Sequence, residues 1–199
     1  MHLESNKIIV IGNGSSVLSH EVGHIIDVFV DVVRFNDYQI GGFEKYIGTK
    51  TTIWARSNSL RTIERDWKPF KQVIVIAPEW NYNNVPKLLK RKANGTAVPR
   101  EDALNLQKEL GLPGRKQTKK GIRRGWPSSG LILLDYLLKE QQLIYIHGFD
   151  HFRHIGKAPR HYYNNMEKMQ VTEVHRGHKE EQWINKKIEE GRIRRLCDK

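Results

Sequence analysis

Short runs rich in apolar and β-branched residues recur along the chain and predict buried strands. Runs that stay apolar at most positions are typical of parallel strands, which are covered on both faces. They occupy residues 7–11, 27–35, 50–55, 72–77 and 143–146. Pro78 follows the fourth run and ends it, because proline has no N–H to continue a ladder of hydrogen bonds.

Segments with apolar residues at helical spacing separate these strands. We expect helices at residues 60–67, 83–92, 100–110, 131–138 and 179–190, a loop at 93–100, and an exposed, mobile loop at 111–125. Gly111 is a typical stop for the third of these helices. Strands that alternate with helices favour an α/β sandwich around a mostly parallel sheet, and 199 residues fit one domain over 1–199.

A glycine-rich loop after the first predicted strand is a candidate ligand site. It reads Gly12-Asn13-Gly14-Ser15-Ser16. Its small residues let the backbone approach a ligand, and free N–H groups at the next helix start favour an anion. The alternative is a strand-to-helix turn that needs glycine for its geometry only. A second candidate, Ser128-Ser129-Gly130, precedes the most apolar helix, where serine also serves as an ordinary N-cap.

The composition is strongly basic, with 34 Lys and Arg against 22 Asp and Glu and a formal net charge of +12. This balance favours anionic partners. The basic segments 87–92 and 115–124 fit either a solvated face or attraction of an anionic substrate or membrane surface. Cys197 is the single cysteine, which excludes an internal disulfide and suits a reducing compartment. We find neither a signal-peptide pattern nor an apolar run of the roughly 18 residues that span a membrane.

Four ordered motifs resemble those of the sialyltransferases, glycosyltransferase family 29. The large motif is matched by Val10-Ile11-Gly12-Asn13-Gly14, Val33-Arg34-Phe35-Asn36 and Gly48-Thr49-Lys50-Thr51-Thr52. The small motif is matched by Pro127-Ser128-Ser129-Gly130 through Gly148-Phe149, the third by His161-Tyr162-Tyr163, and the last by His175 and Glu180. Each motif alone is a weak signal, but four in the family's order form a strong one.

The resemblance implies a single Rossmann-like α/β/α sandwich with a mostly parallel sheet, a GT-A-like variant. It also implies an inverting, metal-independent transfer of sialic acid from CMP-sialic acid to a glycan or glycolipid hydroxyl, with no cofactor beyond the donor sugar. The disulfide of the animal enzymes would fall near Ile8 and Gln141 and is absent here. The expectation is therefore a soluble, bacterial-type relative in the cytoplasm, in reach of the inner face of a membrane.

Three residues are implied in catalysis by the resemblance. We expect His175 to be the general base, because a histidine titrates near the operating pH. We expect His161 to hydrogen-bond the departing phosphate, and Glu180 to orient the local helix or the base. The implied donor-binding residues are Asn13, Gly14, Ser15, Asn36, Ser128, Ser129 and Gly130. A solvated histidine and asparagines that form Asx turns are the plain alternatives.

Two metal hypotheses are weighed and set aside. Glu64-Arg65-Asp66 resembles an acidic metal-binding pair but fits a solvated charge cluster, and His147, His151 and His154 follow a strand end. We therefore expect no metal site.

Three other functions stay open. A CMP-Kdo-dependent transferase of the same type is the nearest, because both sugars travel on cytidine monophosphate. A nucleic-acid-binding module would suit the net charge, although no aromatic residues are interleaved with the basic runs. The third is a non-catalytic relative that binds glycans, against which both candidate histidines argue.

Overall fold

The computed structural model describes residues 7–58, 62–77, 79–90, 93–113, 116–118, 121–123, 125–150, 159–168 and 176–197. Its centre is a parallel sheet of seven strands in the order β11-β8-β1-β2-β3-β4-β5. These are β1 (Ile8–Ile11), β2 (Asp31–Phe35), β3 (Ile53–Ser57), β4 (Gln72–Ile76), β5 (Gly95–Ala97), β8 (Ile144–His147) and β11 (Ile193–Arg195). Two antiparallel pairs lie outside it, β6 (Lys116–Thr118) with β7 (Gly121–Arg123) and β9 (Pro159–His161) with β10 (Asn164–Lys168).

Helices cover both faces of the sheet. They are α1 (Gly23–Ile26), α2 (Glu44–Ile47), α3 (Val85–Leu89), α4 (Arg100–Glu109), α5 (Ser129–Leu137) and α6 (Gly177–Glu189), with 3₁₀ turns at Ser15–Ser19 and Glu79–Asn84. None of the helices in the described ranges is long and apolar enough to cross a membrane.

The core divides between the two faces because side chains alternate along each strand. Ile8 and Val10 pack with apolar residues of α4, α5 and α6, whereas Ile9 and Ile11 pack with those of α1 and α2. Since every residue of β1 is buried, the strand is apolar throughout, as expected for a central parallel strand. The predicted α/β sandwich around a mostly parallel sheet is confirmed.

The direction of strand addition reverses beside β1. The chain lays down β1 to β5 in one direction, then returns to place β8 and β11 on the other side of β1. Beyond the strand ends, the Gly12 N–H donates to the His147 carbonyl at 2.7 Å and the Gly14 N–H donates to the Gly148 carbonyl at 3.1 Å. A Cβ at position 12 would collide with the carbonyl of Gly148, so this close approach requires glycine.

Several expectations about local structure are wrong. The segment 93–100 contains β5, and the segment 111–125, expected to be a loop, contains the β6–β7 pair. Such three-residue strands carry no pattern of their own and depend on a neighbouring strand for their hydrogen bonds. The described part of the segment 60–67, residues 62–67, contains no helix. There the side chain of Glu64 pairs with Arg56 on β3 and accepts from the indole N–H of Trp67 at 2.7 Å.

Candidate active site

The loops after β1, β2 and β8 meet at the carboxyl end of the sheet. In parallel α/β sheets, ligands bind in the crevice at this end, where the strand order reverses. The reversal here lies between β1 and β8, so the crevice is bordered by Gly12–Ser16 and by His147–Asp150. The sequence placed a ligand site in the first of these loops.

Asn13 is the predicted donor-binding residue whose side chain is least satisfied. Its Oδ1 is buried and has no hydrogen-bond partner among the described residues, and its Nδ2 lies 3.4 Å from the Phe35 carbonyl. Its own carbonyl accepts from the Tyr162 N–H at 3.0 Å. A bare buried acceptor is costly unless another group supplies a donor. The arrangement therefore suits a ligand that donates a hydrogen bond.

Asn36, the second predicted asparagine, is held in its turn through both of its oxygen atoms. It has a positive φ of 45°, a conformation that asparagine tolerates better than most residues. Its Oδ1 accepts from the Ser57 N–H at 2.7 Å, and its carbonyl accepts from the indole N–H of Trp54 at 2.9 Å. These contacts tie the end of β2 to β3. A donor-binding role for Asn36 stays a prediction.

Ser128 begins α5 and is held by Glu180, a residue of α6. The Glu180 carboxylate accepts from the Ser128 N–H at 2.8 Å and from the Ser128 hydroxyl at 2.6 Å. The same hydroxyl oxygen accepts from the Leu131 N–H at 3.3 Å, so Ser128 is the N-cap of the helix. Glu180 is only 4% exposed, and its charge lies at the positive end of the helix dipole. Its contacts are those of a positioning residue; a direct catalytic role stays a prediction.

The other two small-motif residues open the first turn of α5. A Cβ added at Gly130 would lie 3.1 Å from the Phe149 ring, whose edge in turn faces Phe35 with ring centroids 6.2 Å apart. Gly130 thus lets α5 approach the loop after β8. Ser129, like Gly130, is partly exposed at the helix start.

The backbone contact of Tyr162, the next residue, places His161 near the carboxyl end of the sheet. Because Tyr162 donates to the carbonyl of Asn13, the third motif lies against the first loop. The His161 ring stacks on Tyr163 with centroids 5.2 Å apart. Burial, countered by nearby Arg34, raises the pKa of Tyr162 to about 12, and its hydroxyl donates to the Gln39 carbonyl at 2.5 Å. His175, the expected base, lies outside the described residues.

His147 ends β8 and is 6% exposed. Burial lowers its pKa to about 4, a hydrogen bond with the Val17 backbone counteracts this, and the charge of His20 lowers it further. The ring is therefore neutral near pH 7. Its Nε2 has no hydrogen-bond partner in the part of the chain that the structure describes. His151 and His154, its companions in the metal hypothesis, lie outside the described residues, and no three potential metal ligands are grouped within them.

Asp150 is a site residue that our sequence reasoning missed. It follows β8 by three positions, and its carboxylate accepts from the Ser16 N–H at 3.1 Å and from the hydroxyls of Ser15, at 3.5 Å, and Ser16. The only signal in the sequence is an acidic residue two positions after a strand-end glycine. Ser15, expected to bind the donor, is thus within weak hydrogen-bond reach of Asp150.

These features define a class: a doubly wound α/β protein whose candidate ligand site lies at the reversal point of its sheet. The sequence profile of glycosyltransferase family 29 (sialyltransferase) matches residues 2–109, more than half of the chain, and the chain belongs to this family.

Similar proteins include animal sialyltransferases. The CMP-N-acetylneuraminate-beta-1,4-galactoside alpha-2,3-sialyltransferase of Rattus norvegicus is 25% identical over 215 residues, covering 94% of this chain and 56% of the relative. The Homo sapiens protein of the same name is 26% identical over the same shares of both chains. The chain spans about half the length of the curated relatives it matches.

A solved mammalian sialyltransferase in complex with Gal-beta-1-3GalNAc-ortho-nitrophenol has the same fold. The TM-score is 0.69 at 17% identity, over 99% of this chain and 71% of that chain. At this identity the match is evidence for the fold only.

Proposed function

We propose that this protein transfers sialic acid from CMP-sialic acid to a hydroxyl of a glycan or glycolipid, with inversion and without a metal ion. The family supports the reaction class. The observation that carries the proposal to this chain is the hydrogen bond of 3.0 Å from the Tyr162 N–H to the Asn13 carbonyl. It joins the third motif to the first loop, over 140 residues away in sequence, at the end of the sheet where ligands bind.

The donor's cytidine is held first by Asn13. Its bare Oδ1 accepts from a ribose hydroxyl or from the cytosine amino group, both of which are donors. The phosphate lies towards the start of α5, where the N–H groups of Ser129 and Gly130 and the helix dipole favour an anion. Glu180 fixes that helix start by its two bonds to Ser128.

The transfer needs one proton acceptor and one group that stabilises the leaving phosphate. His175 takes the proton of the acceptor hydroxyl as its oxygen forms a bond to the anomeric carbon of the sugar. The bond from that carbon to the phosphate oxygen breaks, and its electron pair leaves with cytidine monophosphate. His161 donates a hydrogen bond to the departing phosphate. In-line displacement through an oxocarbenium-like transition state inverts the anomeric centre.

The first experiment is a calorimetric titration with cytidine monophosphate, followed by a transfer assay with CMP-sialic acid and a galactoside acceptor. His175→Ala should lower kcat by about 100-fold or more at unchanged donor affinity, since general bases contribute that much. Activity should persist in EDTA. A folded protein that does not bind cytidine monophosphate would refute the proposal. Competition with CMP-Kdo separates the two donor sugars.

We also propose that the basic segments 87–92 and 115–124 contact anionic lipid. The net charge of +12 supports it. Cosedimentation with phosphatidylglycerol vesicles should be strong at low salt and weak at high salt, because such attraction is screened. Equal sedimentation with neutral phosphatidylcholine vesicles would contradict it.

A further inference from the structure

The turn at Ser15–Ser16, expected to bind an anion, already holds one that belongs to the protein. The Asp150 carboxylate accepts from the Ser16 N–H at 3.1 Å through Oδ2 and from the Ser16 hydroxyl through Oδ1. The Ser15 hydroxyl lies 3.5 Å from Oδ2. The Ser16 N–H and the hydroxyls of Ser15 and Ser16 therefore meet one carboxylate. We call this set of contacts the Asp150 clasp.

The clasp also explains the second glycine of the loop. A Cβ at position 14 would lie 2.5 Å from Oδ2 of Asp150, closer than any real contact. Glycine at position 14 therefore lets the Asp150 carboxylate reach Ser16 without a shift of its side chain. A substrate phosphate at the same turn would find the Ser16 N–H and hydroxyl already taken by this carboxylate.

The clasp reinforces the join between the two loops that border the crevice. Gly14 already donates to the Gly148 carbonyl at 3.1 Å, and Asp150 binds the next two residues of the same loop. Asn13 directly precedes these residues, and its own carbonyl accepts from the Tyr162 N–H. The backbone around Asn13 is thus held by the loop after β8 and by Tyr162, and the direction of its bare Oδ1 depends on both contacts.

We propose that Asp150 is a positioning residue for donor binding. Ser15 and Ser16 hold Asp150, the clasp aims Asn13 at the nucleoside, and the donor phosphate binds elsewhere in the crevice. This inference rests on the proposed function for the identity of the ligand, but the clasp itself is independent of it.

The chain offers a matched control at the other end of the sheet. Asp27 accepts from the N–H groups of Thr49 and Lys50, each at 2.9 Å, and from the Thr49 hydroxyl at 3.0 Å. A Cβ at Gly48 would likewise collide with it. Asp27→Asn removes the same charge from the same kind of turn, away from the crevice.

The test compares Asp150→Asn, Ser16→Ala, their double variant and Asp27→Asn with the unchanged chain. Binding of cytidine monophosphate is measured by calorimetry, and kcat and donor KM by the transfer assay. Asp150→Asn should raise Kd and donor KM about fivefold at nearly unchanged kcat, since about one hydrogen bond's worth of binding is lost. Ser16→Ala should have a smaller effect in the same direction. The double variant should be no worse than Asp150→Asn, and Asp27→Asn should leave Kd and KM unchanged.

Amide hydrogen exchange at Gly14 and Ser16 examines the clasp without any ligand. It should accelerate about tenfold in Asp150→Asn, as expected when a restraint worth roughly 1.4 kcal/mol is lost. Unchanged exchange, or unchanged Kd and KM, would overturn the inference. Tighter binding by Asp150→Asn would overturn it as well, because the carboxylate would then be a competitor of the phosphate. If the unchanged chain does not bind cytidine monophosphate, the proposed function and the donor-positioning role fall together, while the exchange rates still decide whether the clasp exists.

Discussion

The two ends of the parallel sheet use the same device but leave different groups unsatisfied. At the amino end, Asp27 closes the turn before β3, and at the carboxyl end Asp150 closes the turn after β1. In both, a carboxylate accepts backbone N–H and hydroxyl hydrogen bonds beside a glycine at which a Cβ would meet that same carboxylate. The device by itself therefore does not mark a functional site.

The difference lies in the polar atoms around each turn. Oδ1 of Asn13 and Nε2 of His147, at the carboxyl end, are buried without a hydrogen-bond partner among the described residues. Beside the Asp27 turn, Nη1 of Arg34 is such an atom too, although the Nε and Nη2 of Arg34 donate to the carbonyls of that turn. The two ends therefore differ in the kind of group left unpaired. The carboxyl end leaves a bare amide oxygen, an acceptor that a donor group of a ligand would satisfy, whereas the amino end leaves one N–H group of a guanidinium that is otherwise paired.

The largest expected difference between the two ends is in how much stability each loses as the pH falls. His147 has its pKa lowered by burial from 6.5 to about 4, so the unfolded chain binds its proton first as the pH falls. Stability from this group is complete above pH 6.5 and is lost between about 6.5 and 4, by up to about 3 kcal/mol. Burial raises the pKa of Asp27, but hydrogen bonds from Lys50 and Thr49 outweigh it and lower the pKa below 3.8. Its contribution is therefore present above pH 3.8 and is lost only below it.

Urea unfolding of the unchanged chain and of His147→Asn at pH 7.5, 6 and 4.5 measures this difference. The variant cannot be protonated at position 147, so its stability should fall less over this range. Asp27→Asn should follow the unchanged chain between pH 7.5 and 4.5. If His147→Asn lost as much stability as the unchanged chain between pH 7.5 and 4.5, His147 would not be the acid-sensitive group.

Removal of Glu180 should have the next largest effect. Glu180→Ala leaves the N–H and hydroxyl of Ser128 without their acceptor, and we expect a loss of about 2 kcal/mol in the free energy of unfolding. Donor KM should rise as well, because the start of α5 is released. Glu21→Ala is the control: Glu21 and Lys45 form an ion pair with side chains 60% and 58% exposed, which contributes little to stability because solvent screens it. An equal loss in both variants would show that the contact with Ser128 is unimportant.

The two predicted asparagines sharpen the comparison within the carboxyl end. Asn13→Ala should weaken cytidine monophosphate binding about tenfold with little loss of stability, because its Oδ1 has no partner within the described residues. Asn36→Ala should instead lower stability by about 1 kcal/mol, since the bond to Ser57 is lost and alanine tolerates a positive φ poorly. Thermal unfolding and calorimetry measure both. If Asn13→Ala instead lowered stability and Asn36→Ala weakened binding, Asn36 would be the donor-binding residue and Asn13 the structural one.

Much of the architecture follows from local pattern. The residues of β1 to β4 and β8 are apolar at most positions, so all five strands were predicted, although β2 begins at Asp31 and β3 at Ile53, four and three residues later than expected. The strands β5 and β11 were not predicted, because each has three residues and is stabilised by hydrogen bonds to a neighbour. The β9–β10 pair was also missed.

What the sequence by itself determined is the place of five strands along the chain, the glycine loop after β1, the serine cap of α5 and the four motifs of the family. Only the tertiary structure decided which of these residues bind one another. Glu180 reaches Ser128 across 52 positions and Asp150 reaches Ser16 across 134. Such contacts leave no periodic trace, because the hydrogen-bond partner of a buried polar group is chosen by the packing of distant strands and helices and not by its neighbours in the chain.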